Sequence, residues 1–273
     1  MESLSANACT RSMTTLVLGG NGKSGRRVAE RLNTHGVPVR IGSRSGDPAF
    51  DWTDPATWPP ALAGIDRAYL AYVPDLGFPG ATETIGAFAQ TAVAAGVGRF
   101  VLLSGRGEKV AEQSEEAAKA AGGEWTVVRA SWFNQNFSED FLLDSVRSGV
   151  LALPAPPTRR EPFADVDDVA DVAVAALTED GHAGQVYEVT NRSSRTFAEI
   201  VTLLGEAAGR PVEYVECTSA EYRAALLDSG VPEDYATNLA HLFTEILDGR
   251  NEEVTDGVQR ALGRPPRDFP PVG

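Results

Sequence analysis

The stretch Thr15–Arg31 limits the fold more than any other part of the chain. Leu16, Val17 and Leu18 form a short apolar run. Gly19, Gly20, Gly22 and Gly25 follow within seven residues, and Val28, Ala29 and Leu32 then recur at helical spacing. A buried strand, a glycine turn and a helix in that order suit a bound pyrophosphate. The glycines allow a tight turn and a close backbone approach, and the helix N-terminus offers free N–H groups and the positive end of its dipole. Gly20, Gly22 and Gly25 fit G-x-G-x-x-G, and Gly19, Gly22 and Gly25 fit G-x-x-G-x-x-G. Gly19, Gly20, Asn21, Gly22, Lys23, Ser24 and Gly25 are therefore the candidate dinucleotide-phosphate residues.

The bulk composition narrows the function. The 273 residues are 42% hydrophobic and carry a formal net charge of −14, which argues against a nucleic-acid partner, since such a surface is normally basic. The two cysteines, Cys9 and Cys217, have no zinc spacing and no disulfide framework, as expected in a reducing cytoplasm. No run is long and apolar enough for a membrane span. Residues 1–14 lack an apolar signal core and are read as a loose tail.

Taken in order, the chain alternates strands with helices. Gly36 is a stop for the first helix, and Val37–Ile41 is a second strand. It runs into Ser43 and Arg44, where a dinucleotide fold meets the adenosine ribose. An arginine at that place suits the 2′-phosphate of NADP, while an acid would suit NAD, and no acid appears before Asp47. NADP(H) is expected over NAD(H). Ala49–Trp52 reads as a third strand, which puts Asp51 and Trp52 near the adenine. Asp54 with Pro55 starts a helix. Asp66–Val73 is a fourth strand. Its end, Tyr72 and Val73 followed by Pro74, lies on the cofactor side. The fifth strand, Phe100–Leu103, closes on Ser104 and Gly105, and the sixth is Trp125–Val128. The pattern predicts an α/β fold with a Rossmann-type doubly wound parallel sheet.

Beyond residue 130 the texture changes. A helix is expected over Phe133–Val146, a proline-rich change of direction over Leu151–Pro157, and strands over Pro162–Val166 and Val186–Val189. Asp165, Asp167 and Asp168 load a helix start, where they complement its dipole rather than hold a metal. Thr196 with Glu199 and Thr218 with Glu221 are capping boxes. The expected organisation is a Rossmann domain at 15–150 and a smaller, mostly helical lobe at 151–273 that covers the carboxyl ends of the strands and is intertwined with the first.

Several stretches carry a resemblance to the NmrA-like group of atypical short-chain dehydrogenases. They are the glycine turn, Ser43-Arg44, Tyr69–Pro74, Leu102–Gly105, Arg129–Phe137, Pro162–Ala170 and Leu262–Phe269. The resemblance implies an NAD(P)-binding domain with a small substrate lobe. It puts Ser104 and Gly105 beside the nicotinamide and Trp132, Phe133 and Asn136 toward the substrate. Relatives in the group include quinone reductases, aromatic ether reductases and redox-sensing regulators. Short-chain dehydrogenases usually use a Tyr-x-x-x-Lys pair as acid, and none of the six tyrosines has a lysine four residues on. Ether reductases of the group use a lysine in the region where Lys109 and Lys119 fall.

Hydride delivery to a quinone needs less acid, and a donor such as Ser104, Tyr72 or Asn136 would suffice. The expected activity is NADPH-dependent reduction of a quinone or conjugated carbonyl of a small aromatic substrate. A non-catalytic NADP(H) sensor is the alternative, and an NADP-dependent isomerase or epimerase a weaker one. The oligomeric state, monomer or homodimer, is left open.

Overall fold

A computed structural model describes residues 13–139 and 141–269. Residues 1–12, most of the expected tail, lie outside it together with Cys9. Thr14 is tied down: its N–H donates to Asp66 Oδ2 at 2.9 Å.

The first half follows the expected alternation. β1 (Thr15–Leu18), α1 (Lys23–Thr34) and β2 (Val39–Gly42) form the first unit. A 3₁₀ turn at Pro55–Thr57, capped by the Asp54 carboxylate on Ala56 N–H, leads into the short α2 (Trp58–Leu62). β3 (Arg67–Leu70), α3 (Ala81–Ala94), β4 (Arg99–Gly105), α4 (Lys109–Lys119) and β5 (Glu124–Ala130) complete this half.

Then come α5 (Asn136–Glu139), α6 (Leu143–Ser148), β6 (Val150–Leu153), β7 (Arg160–Glu161) and α7 (Val166–Thr178). β8 (Val186–Val189), β9 (Arg195–Thr196), α8 (Phe197–Ala207), β10 (Glu213–Glu216), α9 (Ser219–Asp228), α10 (Glu233–Ile246) and α11 (Gly257–Leu262) follow. The two capping boxes close as expected, Thr196 with Glu199 on α8 and Thr218 with Glu221 on α9.

The central sheet has six parallel strands in the order β2-β1-β3-β4-β5-β8. Alternate residues of each strand face opposite layers. Leu16, Leu18, Leu70, Phe100 and Leu102 pack with Trp58, Ile85 and Phe88 on the α2–α3–α4 side. Val17, Tyr69, Val101 and Val128 pack with Val28, Leu32, Val169 and Val258 on the α1–α7–α11 side. A third core, with Phe137, Phe163, Phe197, Tyr222 and Phe243, belongs to the helical lobe. The chain leaves β1 toward β2 on one side and returns to β3 on the other. That reversal opens a crevice at the carboxyl ends of β1 and β3, where ligands of doubly wound sheets sit.

The seam between α1 and α7 is ionic. Arg31 meets Asp167 at 2.6 Å and Asp171 at 2.6 Å, and Arg27 meets Asp167 at 3.2 Å. Asp168, fully buried, is engaged by Arg264 and Arg267 from the C-terminal segment.

Three sequence expectations need correction. Ala49–Trp52 is not a strand. Phe50 N–H donates back to Ser43 O at 2.9 Å around the Gly46 turn, and Asp51 N–H is taken by Thr57 Oγ1 at 3.0 Å, so neither group reaches a ladder. No continuous helix spans Phe133–Val146. Asn134 N–H donates to Ala164 O at 2.8 Å and Ala164 N–H to Trp132 O at 2.7 Å, which holds the start of that stretch as a bridge and leaves α5 and α6 as separate short helices. The same bridge is the strand-like part of Pro162–Val166; the two-residue β7 precedes it and pairs antiparallel with β9.

Candidate functional site

A cleft of about 840 Å³ runs across the carboxyl ends of the strands, beneath α10. One end is the glycine turn. Gly19 adopts φ +70° and lies against Ala71, where a side chain would collide with the Ala71 Cβ. Gly22 N–H donates to Gly19 O at 2.9 Å, closing the turn. Gly22 caps α1 without a side-chain hydrogen bond, and the first turn of α1 carries no acid, so this end of the helix presents the positive pole of its dipole to the cleft. Asn21, Lys23 and Ser24 also face the cleft. Gly25 does not line it. A Cβ there would overlap the Gly19 carbonyl and the Gly20 Cα, so its part is to let helix and turn approach, not to touch a ligand.

The neighbouring wall is formed by Ser43 and Arg44 after β2, and by Asp51 and Trp52. The Asp51 carboxyl accepts from Thr53 N–H at 2.9 Å and Thr53 Oγ1 at 2.8 Å. These bonds, with the attraction of Arg44, hold its pKa below the usual carboxylate range. Trp52 packs edge-on to Phe50, Phe88 and Tyr72, with ring centroids 5.0–5.1 Å apart. Tyr72, Val73 and Pro74 follow β3 along the floor.

Ser104 and Gly105 occupy the middle, at the end of β4. The Ser104 hydroxyl donates to Glu115 Oε1 at 2.6 Å. Glu115 is fully buried and takes a two-pronged contact from Arg129, at 2.8 and 2.7 Å. Ser104 thus spends its proton on Glu115 rather than offering it to the cleft. Lys119 pairs with Glu116 at 2.8 Å, and neither it nor Lys109 lines the cleft.

The far end is aromatic. Trp132 stacks on Phe243 of α10 at 4.5 Å, and its indole N–H is buried with no partner among the described residues. Phe133 lies beneath the Lys23 ammonium, 5.9 Å from its ring centroid, which joins the glycine-turn end to the aromatic wall. Asn136 opens α5 and is buried at the cleft wall. Phe141, Tyr235, Leu239 and Leu242 supply the lobe's side.

The cleft thus gathers every sequence-designated residue except Gly25. It also contains groups that sequence reading passed over: the acids Asp75, Glu108 and Glu161. Burial raises the pKa of Glu108 well above the ordinary range, and the neighbouring Asp75 and Glu245 add to it. Burial raises Asp75 too. Glu161 is pushed up to about 8, mainly by burial, with Arg106 opposing. In the sequence Glu108 reads as an ordinary helix-start residue. The small Gly105 and Gly107 beside it were the available signal of a crowded turn.

The profile of the NmrA-like family matches residues 49–262, beginning after the glycine turn. An uncharacterized oxidoreductase of Bacillus subtilis (strain 168) is 32% identical, with 92% of this chain and 91% of that protein covered. An NAD(P)H azoreductase of Xenophilus azovorans is 30% identical, over 93% of this chain and 94% of its own. Among solved structures, an NADPH-dependent quinone oxidoreductase from Escherichia coli in complex with NADPH shares the fold, with a TM-score of 0.78, 21% identity, and 94% and 97% of the two chains covered. The chain belongs to the NmrA-like family and is an NAD(P)H-dependent reductase of the atypical short-chain dehydrogenase type.

Proposed function

We propose that the chain reduces a quinone or a conjugated carbonyl of a small aromatic substrate, with NADPH as the preferred donor. The observation that carries this reading is the continuity of the cleft: an uncapped helix N-terminus and glycine turn at one end, an aromatic-walled pocket at the other, and Ser104-Gly105 between. The fit to a dinucleotide rests on that cradle, whose path only glycine permits, since a Cβ on Gly19 or Gly20 would collide with Ala71 or Ile41. The N-terminal N–H groups of α1 would hold the pyrophosphate, Ser43 and Arg44 the 2′-phosphate, and Trp52 and Asp51 the adenosine. When bound, the cofactor supplies a hydride. Trp132 and Phe133 orient a flat acceptor, and α10 shields the pocket from water. The quinone oxidoreductase and azoreductase relatives both act, by name, on acceptors of conjugated type.

The test follows nicotinamide absorbance with a panel of quinones and enones, beside NADPH binding measured by fluorescence. Acceptor-dependent oxidation that is lost in Gly22→Trp supports the reading. Tight binding with no turnover on any acceptor overturns it in favour of a cofactor sensor. Arg44→Ala should lower the preference for NADPH over NADH about tenfold, or about 1.4 kcal/mol. An unchanged ratio would remove the 2′-phosphate assignment.

A further inference from the structure

Glu108 stands at the start of α4, directly after the Ser104-Gly105 turn, and faces the cleft. It is 7% exposed, and no N–H or hydroxyl among the described residues reaches its Oε2. Its surroundings are shaped around the carboxyl. A Cβ on Gly105 would overlap it from one side, and a Cβ on Gly77 from the other. The same Gly77 position lies 3.2 Å from Asp75 Oδ1, so the two acids converge on one point from two loops. The two carboxyls face each other across that point, and a close carboxyl–carboxyl contact is favourable only with a proton between the oxygens. Asp75 Oδ1 also accepts Gly77 N–H at 2.8 Å, which favours the anion on Asp75 and the proton on Glu108.

The other charges nearby keep that proton in place. Glu245 of α10 adds to the negative surroundings of Glu108. Arg106, the arginine that shares this end of the cleft, is held by Glu188 at 3.0 Å and the Asn251 carbonyl at 2.8 Å. Meanwhile Ser104, the hydroxyl at the middle of the cleft, is committed to Glu115.

We propose that Glu108, paired with Asp75, is the general acid of this reductase and protonates the acceptor oxygen as hydride arrives at carbon. The inference rests on the reductase reading above. In the step, the acceptor carbon gains a C–H bond and two electrons from the dihydronicotinamide, which becomes NADP⁺. The C=O π pair moves to oxygen, the Glu108 O–H bond breaks, and its proton forms the new O–H bond. The resulting carboxylate takes a proton from water to close the cycle. Asp75 is a positioning residue. This arrangement fills the role left vacant by the missing Tyr-x-x-x-Lys pair.

The test uses Glu108→Gln, which keeps the shape and removes the acidic proton, and Asp75→Asn. Infrared difference spectra of the cofactor-free full chain, wild type minus Glu108→Gln, should show a protonated carboxyl band at neutral pH. With the best carbonyl acceptor, Glu108→Gln should lose about 10²-fold in kcat at nearly unchanged KM. It should also lose the alkaline fall of the wild-type kcat profile. Asp75→Asn should shift that fall without abolishing it. The proposal is overturned if the carboxyl band is absent, if Glu108→Gln keeps its kcat, or if only KM moves. Absence of wild-type turnover on every acceptor would instead overturn the reductase reading, and the donor role with it, whatever the infrared band shows.

Discussion

Replacing Glu161 with glutamine should remove a pH dependence that is built into the fold. Glu161 sits on β7 at the cleft wall, 2% exposed. Its carboxyl has an ordinary pKa of 4.5, and in the fold burial pushes it up to about 8. Between those two values the folded protein binds more protons than the unfolded chain, so stability falls as pH rises and levels off above the folded pKa. At about 1.4 kcal/mol per pH unit across that window, the charged form costs the fold about 5 kcal/mol. Glutamine imitates the protonated acid at every pH. The stability of Glu161→Gln minus that of wild type should therefore be near zero in acid and grow by about 5 kcal/mol by pH about 8. Asp75 and Glu108 titrate in the same direction but are present in both proteins, so the difference isolates Glu161. Urea unfolding at a series of pH values, read as midpoints at constant slope, measures it. A difference that stays flat with pH would refute the reasoning, and would mean that Arg106 or water compensates the buried charge.

Two further outcomes follow from the geometry. Gly25→Ala drives a Cβ into the Gly19 carbonyl and Gly20 Cα, which are backbone and cannot swing aside. NADPH affinity by fluorescence titration should fall at least about tenfold, or about 1.4 kcal/mol, and an unchanged affinity would show that the turn yields. Glu115→Ala leaves the Arg129 guanidinium without its principal partner and should cost about 3 kcal/mol in urea unfolding. A loss under about 1 kcal/mol would mean that Glu112 and Glu188, each 3.7 Å from Arg129, take over.

The parts legible in the sequence are those fixed by short-range patterns. β1, the glycine turn and α1 follow from Leu16–Gly25 and the spacing of Val28 and Leu32. The capping boxes at Thr196 and Thr218 each act within four residues. The Ala49–Trp52 strand failed because its hydrogen bonds go to Ser43 O and Thr57 Oγ1, partners that apolar alternation does not reveal. The Phe133–Val146 helix failed for a related reason, since the bridge to Ala164 is a contact across 31 positions. The site divides likewise. Arg44 and Trp132 were visible through motifs, whereas Asp75, Glu108 and Glu161 come from three separate loops or strand ends and meet only in the folded chain. Ser104 lines the cleft, but Glu115, which takes its proton, lies eleven residues on inside a charged helix.

The position of β8 bears on how this protein is made. The last strand of the cofactor-binding sheet is Val186–Val189, and it lies beside β5, fifty-six residues after β5 ends. Until those residues have left the ribosome, β5 presents an open edge, and without α7 the apolar layer of Val17, Tyr69, Val101 and Val128 is covered only in part, by α1. Cutting the gene after residue 150 would therefore yield an unfinished sheet prone to pairing with other chains, rather than a free-standing nucleotide module. Fusions or permutations designed on this scaffold must therefore carry the segment through β8.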